Sequence, residues 1–539
     1  MGAVAGRAPR GNPRCELTGY LDANWLFKSQ VVVGASAERE ALHLAEALAY
    51  GWMWKKRDKE CKVFGLLCEL DRPGEWVFDP VDARLYLDPP VPLDASTHVS
   101  IPAAAGFLTL AGTEHVAVIG LDVENLGSGF CYRIEGGSDN LIAGATMRNS
   151  PAGGVWIDGT RNRVEGCDLV DLEAHVRLGG GRRGAGLLEP GGNRVENCHI
   201  YQRGFTHRKV SVAISGVGNT FQHNLVHNSI GQAVTVRGND HLIALNELFN
   251  IGYDEGDGGA IYSGADLIGY GNTYRFNFIH HLMHVPGKVE RSGIHLDDRQ
   301  AGATCEGNVF YKSAAKGIFM NGGAGHTLRG NVLLEGFRGI YNVSPRDDAP
   351  LVLEREIAAD PNHRYRNTKE NYIGRVEREI GQAGWLEEPW KSRYPRMSRV
   401  LSDTGIYGRL WPIRCVVEDN LFFGNSQGDH TIWSRSGPEV LAKCTLAGDR
   451  KIAPEDFVNY AALDLRFRPG FEPAVAIPFE TIGLELDRYR SRVPDKAAYR
   501  GAVRAFFDGI GSMPGTTKHL DTARLIEDGP WLEATAPGK

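Results

Sequence analysis

The sequence predicts a right-handed parallel β-helix with three strands per coil, and three observations carry that expectation. Six near-copies of one phrase fill the middle of the chain: NRVENCHI from Asn193, NTFQHNLVH from Asn219, NDHLIALNELF from Asn239, NTYRFNFIHH from Asn272, ATCEGNVFY from Ala303 and HTLRGNVLL from His326. A third apolar run follows, as AVTVRG from Ala233, GGAIYSG from Gly258, SGIHLDD from Ser292, KGIFMNGG from Lys316 and RGIYN from Arg338. Asn recurs at the corner between the paired strands, where it tolerates left-handed backbone and its amide can bond along a ladder. A sandwich of hairpins would also give short strands and turns, but it would not repeat a three-part phrase in register.

The elements follow in order. Residues 1–95 lie outside the repeat and read as an N-terminal cap, with a helix over the alanine- and leucine-rich stretch Glu38 to Trp54 and a hairpin in GEWVFDPVDARLYLDPP, turning at Asp79 to Asp82. Such a cap shields the open sheet edge of a solenoid. Residues 96–344 form the coils, beginning near His98. A charged, aromatic insertion spans 345–412, with a helix around Glu370 to Ala383 and with Trp385, Trp390 and Tyr394 expected to pack against the coils rather than to form a sugar-contacting lid. The repeat resumes at CVVEDNLFFGN from Cys415, so 413–480 are final coils and 481–539 a C-terminal cap.

Composition narrows the function. At 539 residues the chain is longer than one ordinary domain, but a solenoid lengthens without a second core. A net charge of −6 argues against a general nucleic-acid binder, which needs a basic face. Nine Cys without a CxxC pair give neither a metal motif nor a closed disulfide set, and Cys167 and Cys198 read as stacked core thiols. No apolar run of about 18 residues is present to span a membrane. The opening MGAVAGRAPRGNPR lacks an apolar core, so no export signal is visible. HExxH, EF-hand and GxSxG patterns are missing, and neither metal nor cofactor is expected. GGGRRGAGLLEPGGN, from Gly179, reads as a long corner loop, with Arg182 and Arg183 open to an acidic substrate.

Coil length points to the working face. The coil from Asn219 takes 20 residues, whereas those from Asn239 and Asn272 take 33 and 31, with the excess before the third strand in both. Loops on a rigid scaffold concentrate function. These two gather Asp254, Glu255, Asp257, His280, His281, His284 and Arg291. If Val234, Ile261, Ile294, Ile318 and Ile340 point inward, then Thr235, Tyr262, His295, Phe319 and Tyr341 form an outward column, flanked by Arg237, Gly264, Asp297 and Asn321. Aromatic rings beside carboxylates and amides suit an oligosaccharide. Carboxylates on neighbouring rungs, about 4.8 Å apart, reach glycosidase separations. One pairing is strained: Asp257 precedes its strand and Asp298 follows the next, on the order of 25 Å apart at about 3.3 Å per residue unless the loop folds back. Asp297 is the alternative member of a pair.

At GNDHLIALNELFN, DGGAIYSG, GNTYRFNFIHH, GIHLDD and GNVFY the chain resembles carbohydrate-active right-handed β-helix proteins, and most of all glycoside hydrolase family 141, from GYLDANWLF through GEWVFD and LYLDPP to DLRFRPGFEP. The resemblance implies hydrolysis of a plant or microbial polysaccharide, as by fucosidases and xylanases, usually by secreted proteins, with a catalytic pair mapping onto Asp257 and Asp298 or its neighbour Asp297. The chain departs from polygalacturonases in lacking their GHG and RIK patterns. The substrate-contacting set expected here is Tyr262, His295, Arg299, His281, Phe319 and Asn321. Two other readings stay open: a polysaccharide lyase or uronate epimerase using His281, His295, Arg291 and Arg299, and a glycan-binding solenoid without catalysis.

Overall fold

A computed structural model describes residues 15–19, 21, 28–36, 38–48, 61–79, 82–203, 212–252, 257–282, 284–285, 289–313, 315–343, 378–429, 432–434, 438–510 and 531–533. The chain forms a parallel β-helix. First strands of successive coils stack as an eleven-stranded parallel sheet, from Ala117–Ile119 through Thr273–Arg275 to Thr445–Ala447. Second strands (Glu247–Ile251, Phe278–His280, Val309–Tyr311) and third strands (Val234–Val236, Asp257–Ser263, Val289–Leu296, Lys316–Asn321, Arg338–Val343) pair rung on rung in the same way. Regular rungs begin at Leu108–Ala111, somewhat later than the residues near His98 that sequence suggested.

Alternation explains the core. Val234, Ile261, Ile294, Ile318 and Ile340 are all fully buried in one hydrophobic cluster with Phe310, Leu333 and Phe422. Cys167 and Cys198 are buried free thiols on adjacent rungs. Where the third strand enters, Gly317 and Gly339 allow a close approach, since a Cβ at either would lie 2.5 Å from Leu333 Cδ2 or 2.6 Å from Phe422 Cε1.

The recurrent Asn residues form a buried ladder. Asn224, Asn246, Asn277, Asn308 and Asn331 each donate from Nδ2 to Oδ1 of the next, at 2.9–3.0 Å, as far as Asn420, which donates in turn to Asp449 Oδ1. The left-handed residue at this corner is the one before each ladder position, as at His223, Leu245 and Phe276, so the amide is required for the ladder and not for the backbone. A second ladder runs Asn162, Asn193, Asn219, then His241 and Asn272, with His326 further along. His241 Nδ1 accepts from Asn219 N at 3.1 Å while Nε2 donates to Arg237 O at 3.0 Å, which requires the neutral ring. His326 is held alike, between Ala303 N and Gly322 O.

Burial pushes both imidazoles down to about 4. In the unfolded chain they take up protons near 6.5, so the stability that they contribute is complete above that pH and lost as pH falls from 6.5 through about 4. Replacing His241 by Asn, the usual ladder residue, is therefore expected to flatten the fall of melting temperature between pH 6.5 and 4. An unchanged pH dependence would show that the ring is not held neutral.

The N-terminal unit, residues 1–100 with 255–257, holds an antiparallel sheet ordered Ala41–Leu44, Lys28–Ser36, Glu16–Gly19, Cys61–Phe64, and a hairpin of Trp76–Asp79 with Arg84–Leu87. The helix expected from Glu38 is corrected over Ala41–Leu44, which is a strand paired with Lys28–Ser36. Alanine and leucine favour a helix there only weakly, and cross-strand pairing overrides the preference. Residues beyond 48 of that stretch lie outside the described residues.

In the larger unit, the described part of the insertion carries helices α1 (Trp390–Arg393) and α2 (Pro395–Gly408). Trp385, Trp390 and Tyr394 are buried against Tyr270, Leu267 and Ala324 of the coils, so they pack rather than form a lid. Most of the helix expected around Glu370 to Ala383 lies outside the described residues. The C-terminal segment corrects a second expectation. It runs along the flank of the stack, where Gly483 N donates to Leu245 O, Arg490 bonds Asp168, and α3 (Lys496–Ile510) covers the second-strand sheet. Beneath α3, rings stack down the rungs as Tyr201, His227, Phe249 and His280. There the fully buried Glu247 takes a two-point bond from Arg500 (2.8 and 2.7 Å) and contacts His280 Nε2 at 3.1 Å. A brace of this kind is invisible to a repeat pattern.

Candidate active site

The outward column of third strands forms in the register expected. Thr235 pairs with Tyr262, His295 with Phe319, and Phe319 with Tyr341. Ring centroids are 5.4 Å apart between Tyr262 and His295 in an edge-on arrangement, 4.5 Å between His295 and Phe319 in a stack, and 5.4 Å between Phe319 and Tyr341. The column differs from expectation in its exposure. His295, Phe319 and Tyr341 point away from the coil core yet are buried within the protein, which removes His295 and Phe319 as an open stacking platform. Tyr262 is half-buried, and from it a partly exposed patch runs through Asp297, Asp298, Arg299 and Asn321 at the C-terminal ends of the strands, with Asp298 its exposed member.

Asp297 organises that patch. Tyr262 Oη donates to its Oδ2 at 2.9 Å, Asn321 Nδ2 donates to Oδ1 at 2.7 Å, and His295 Nε2 lies 3.4 Å from Oδ1. Gly264 leaves the space for this arrangement: a Cβ there would lie 2.7 Å from Tyr262 Oη and 3.0 Å from Asp297 Cβ. Burial by itself would raise the Asp297 carboxyl, but the His295 imidazole and the Asn321 amide outweigh it and hold the group well below the usual carboxylate range. Asp297 is thus a persistent carboxylate, its side chain 14% exposed at the edge of the patch, with a buried imidazole behind it.

The other expected residues are placed as follows. Asp298 is exposed in the left-handed turn after the strand, and Arg299 is half-buried in the same turn, its backbone N donating to Asn321 O. Asp257 is exposed at the first position of the strand Asp257–Ser263. His281 belongs to the second-strand side: it is buried, 2.7 Å from His280 between the two Nδ1 atoms, and packed on Phe507 of α3. Its distance from the column follows from the brace that covers that face, and it is corrected as a substrate contact. Arg291 is fully buried at the entrance of the third strand. Arg182 pairs with Glu189, and Arg183 is tied to Asp266 and Asn239, so the glycine-rich corner is structural. Asp254 and Glu255 lie outside the described residues, as does the His284 side chain. Among the described residues no cluster of three His, Cys, Asp or Glu is arranged to hold a metal ion.

No family model and no curated protein matches this chain. Among solved structures, a protein titled glycoside hydrolase is similar with a TM-score of 0.45 at 12% identity, over 62% of this chain and 71% of that one. A PL6 alginate lyase in complex with a trisaccharide gives 0.33 at 12% identity, over 70% and 90%. The PL6 alginate lyase AlyGC, in a mutant form, gives 0.31 at 13% identity, over 70% and 57%. Likenesses of this degree assign neither activity nor substrate to this chain.

Sequence reading stopped short of the full column. Its upper rungs continue as Arg133, Trp156, Arg177 and Ala213, in register down to Thr235. The same alternation was there to be read, in the apolar pairs that flank Trp156 and Arg177.

Proposed function

We propose that this protein cleaves glycosidic bonds in a polysaccharide bound along the third-strand face, with Asp297 as the ionised carboxylate of the reaction. The observation that carries the reading is the environment of Asp297: donors from Tyr262 and Asn321 and the nearby His295 keep it charged at a partly exposed edge. A glycosidase needs one carboxylate that stays ionised, to attack the anomeric carbon or to activate water, and one carboxylic acid that protonates the leaving oxygen. Asp297 suits the first role. The second falls to Asp298, on the turn beside it; Asp257, the other position implied by the resemblance to glycoside hydrolase family 141, begins the strand Asp257–Ser263 whose opposite end adjoins Asp297, on the order of 20 Å away along an unbroken strand, and is corrected as its partner. Tyr262 offers a half-exposed ring face for a sugar. Its hydroxyl and the Asn321 amide position the carboxylate.

One observation favours a second reading. The imidazole of His295 lies directly behind Asp297, and a His–carboxylate pair can also take the proton α to a uronate carboxyl, as a lyase or epimerase requires. Products separate the two. With a panel of neutral and acidic polysaccharides, hydrolysis releases reducing ends without new ultraviolet absorbance, whereas elimination adds the absorbance of an unsaturated sugar. Loss of reducing-end release in Asp297→Asn supports the proposal. Reducing ends accompanied by absorbance would replace it with the lyase, and release of neither from any glycan would leave a binding solenoid.

A further inference from the structure

Two exposed arginines stand on the outward face of the third strands, on the rungs above Asp297. Arg237 precedes Asp297 by two rungs in one column, about 10 Å along the stack, with Gly264 on the rung between and the Tyr262 hydroxyl lying over it. Arg177 lies two rungs above Arg237 in the neighbouring column, beyond the small residues Ala213 and Thr235. Neither arginine is in an ion pair among the described residues. Arg177 is instead held by rings, its guanidinium carbon 5.1 Å from the centroid of Phe130 and 5.7 Å from that of Trp156. Phe130 reaches that position because Gly153 has no Cβ, which would collide with the ring. Of the acids nearby, Glu135 is paired with Arg133, and Asp158, held by Gly159 N, keeps its charge without an ion pair to either arginine.

We propose that Arg237 and Arg177 are subsites for the carboxylates of an acidic glycan, so that the polysaccharide handled at Asp297 is a polyuronate lying along the third-strand columns. This rests on the reading of Asp297 as the reacting site and adds the charge of the substrate. The protein as a whole carries a net charge of −6, so an acidic chain would be repelled by most of its surface and held only where unpaired guanidinium groups face outward. A guanidinium fixed against aromatic rings meets a carboxylate with two parallel N–H donors and little ordering cost. Rungs repeat at about 4.8 Å, close to the length of one pyranose, so sugars can follow the columns in step. The small residues Ala213 and Thr235 leave room for them between the two arginines.

The test uses the full-length Asp297→Asn protein, which removes turnover from the binding measurement, and titrates it calorimetrically with hexamers of galacturonate, mannuronate and, as the neutral comparison, xylose. At least one uronate hexamer should bind more tightly than the xylose hexamer, and affinity should fall with added salt. Arg177→Gln and Arg237→Gln, each added to Asp297→Asn, should weaken that uronate hexamer by about tenfold to a hundredfold, the range for a lost hydrogen bond to a charged group, and leave the xylose hexamer unaffected. Equal binding of acidic and neutral hexamers, absence of uronate binding, or indifference to both substitutions would overturn the proposal. Both arginines are exposed, so loss of fold does not confuse the result. Arginine-dependent uronate binding without cleavage by the wild-type protein would retain these subsites and refute the catalytic reading. Cleavage confined to neutral glycans would do the reverse.

Discussion

Replacing Asp297 by Asn is expected to cut polysaccharide cleavage by about 10²–10⁴-fold, the range for loss of a positioned acid–base group, without changing the melting temperature appreciably. The amide keeps the shape and still accepts from Tyr262, while its NH2 meets Asn321, whose amide can flip to accept, so packing is retained. It carries no charge, so it neither attacks nor activates water, and it no longer faces His295 as an anion. Initial rates and thermal unfolding measured on the same preparations check both halves. Wild-type activity in the variant would remove Asp297 from the chemistry. Lost activity with a lowered melting temperature would assign it to the fold.

The largest stability effect is expected at the brace. Glu247→Gln removes a fully buried carboxylate and leaves the largely buried Arg500 without its anion, and breaking one side of a buried pair costs about 3–5 kcal/mol. Burial would raise the Glu247 carboxyl, but Arg500 and then His280 hold it far below its ordinary value, so its contribution is complete above about pH 4.5 and lost progressively as pH falls from there. The helix α3 should loosen first, because Tyr499 and Val503 pack on Phe249 and Leu225 only while it is docked. Chemical denaturation with protease cleavage within 496–510 measures this. Replacing both partners, as Glu247→Leu with Arg500→Met, should recover most of the loss, since an apolar pair fills the site without stranded charge. A single substitution as stable as wild type would show that the pair contributes nothing.

The contrast between these two sites shows what the sequence discloses. Everything that repeats was legible: the three strands per coil, the inward Val234, Ile261, Ile294, Ile318 and Ile340, and the outward placing of Tyr262 beside Asp297 and Asn321, because period-two alternation and a fixed rung spacing determine which side chains become neighbours. What does not repeat was hidden. His281 looked like a neighbour of His295 from its loop, yet it follows a second strand and is sealed under α3, which the chain supplies more than 200 residues later. Burial of Phe319 and Tyr341 was equally out of reach, since alternation separates the two faces of a strand without saying what covers either. The role of Asn at the corner was half read: its ladder was foreseen, whereas the left-handed backbone falls to the preceding residue.

The most direct measurement is a crystal structure of the Asp297→Asn protein soaked with an oligosaccharide cut from whichever polysaccharide the wild type cleaves. The account predicts a sugar ring against Tyr262, a glycosidic oxygen between residues 297 and 298, and the chain continuing past Gly264 toward Arg237 and Arg177. A glycan bound on another face, or a scissile bond remote from residue 297, would contradict it.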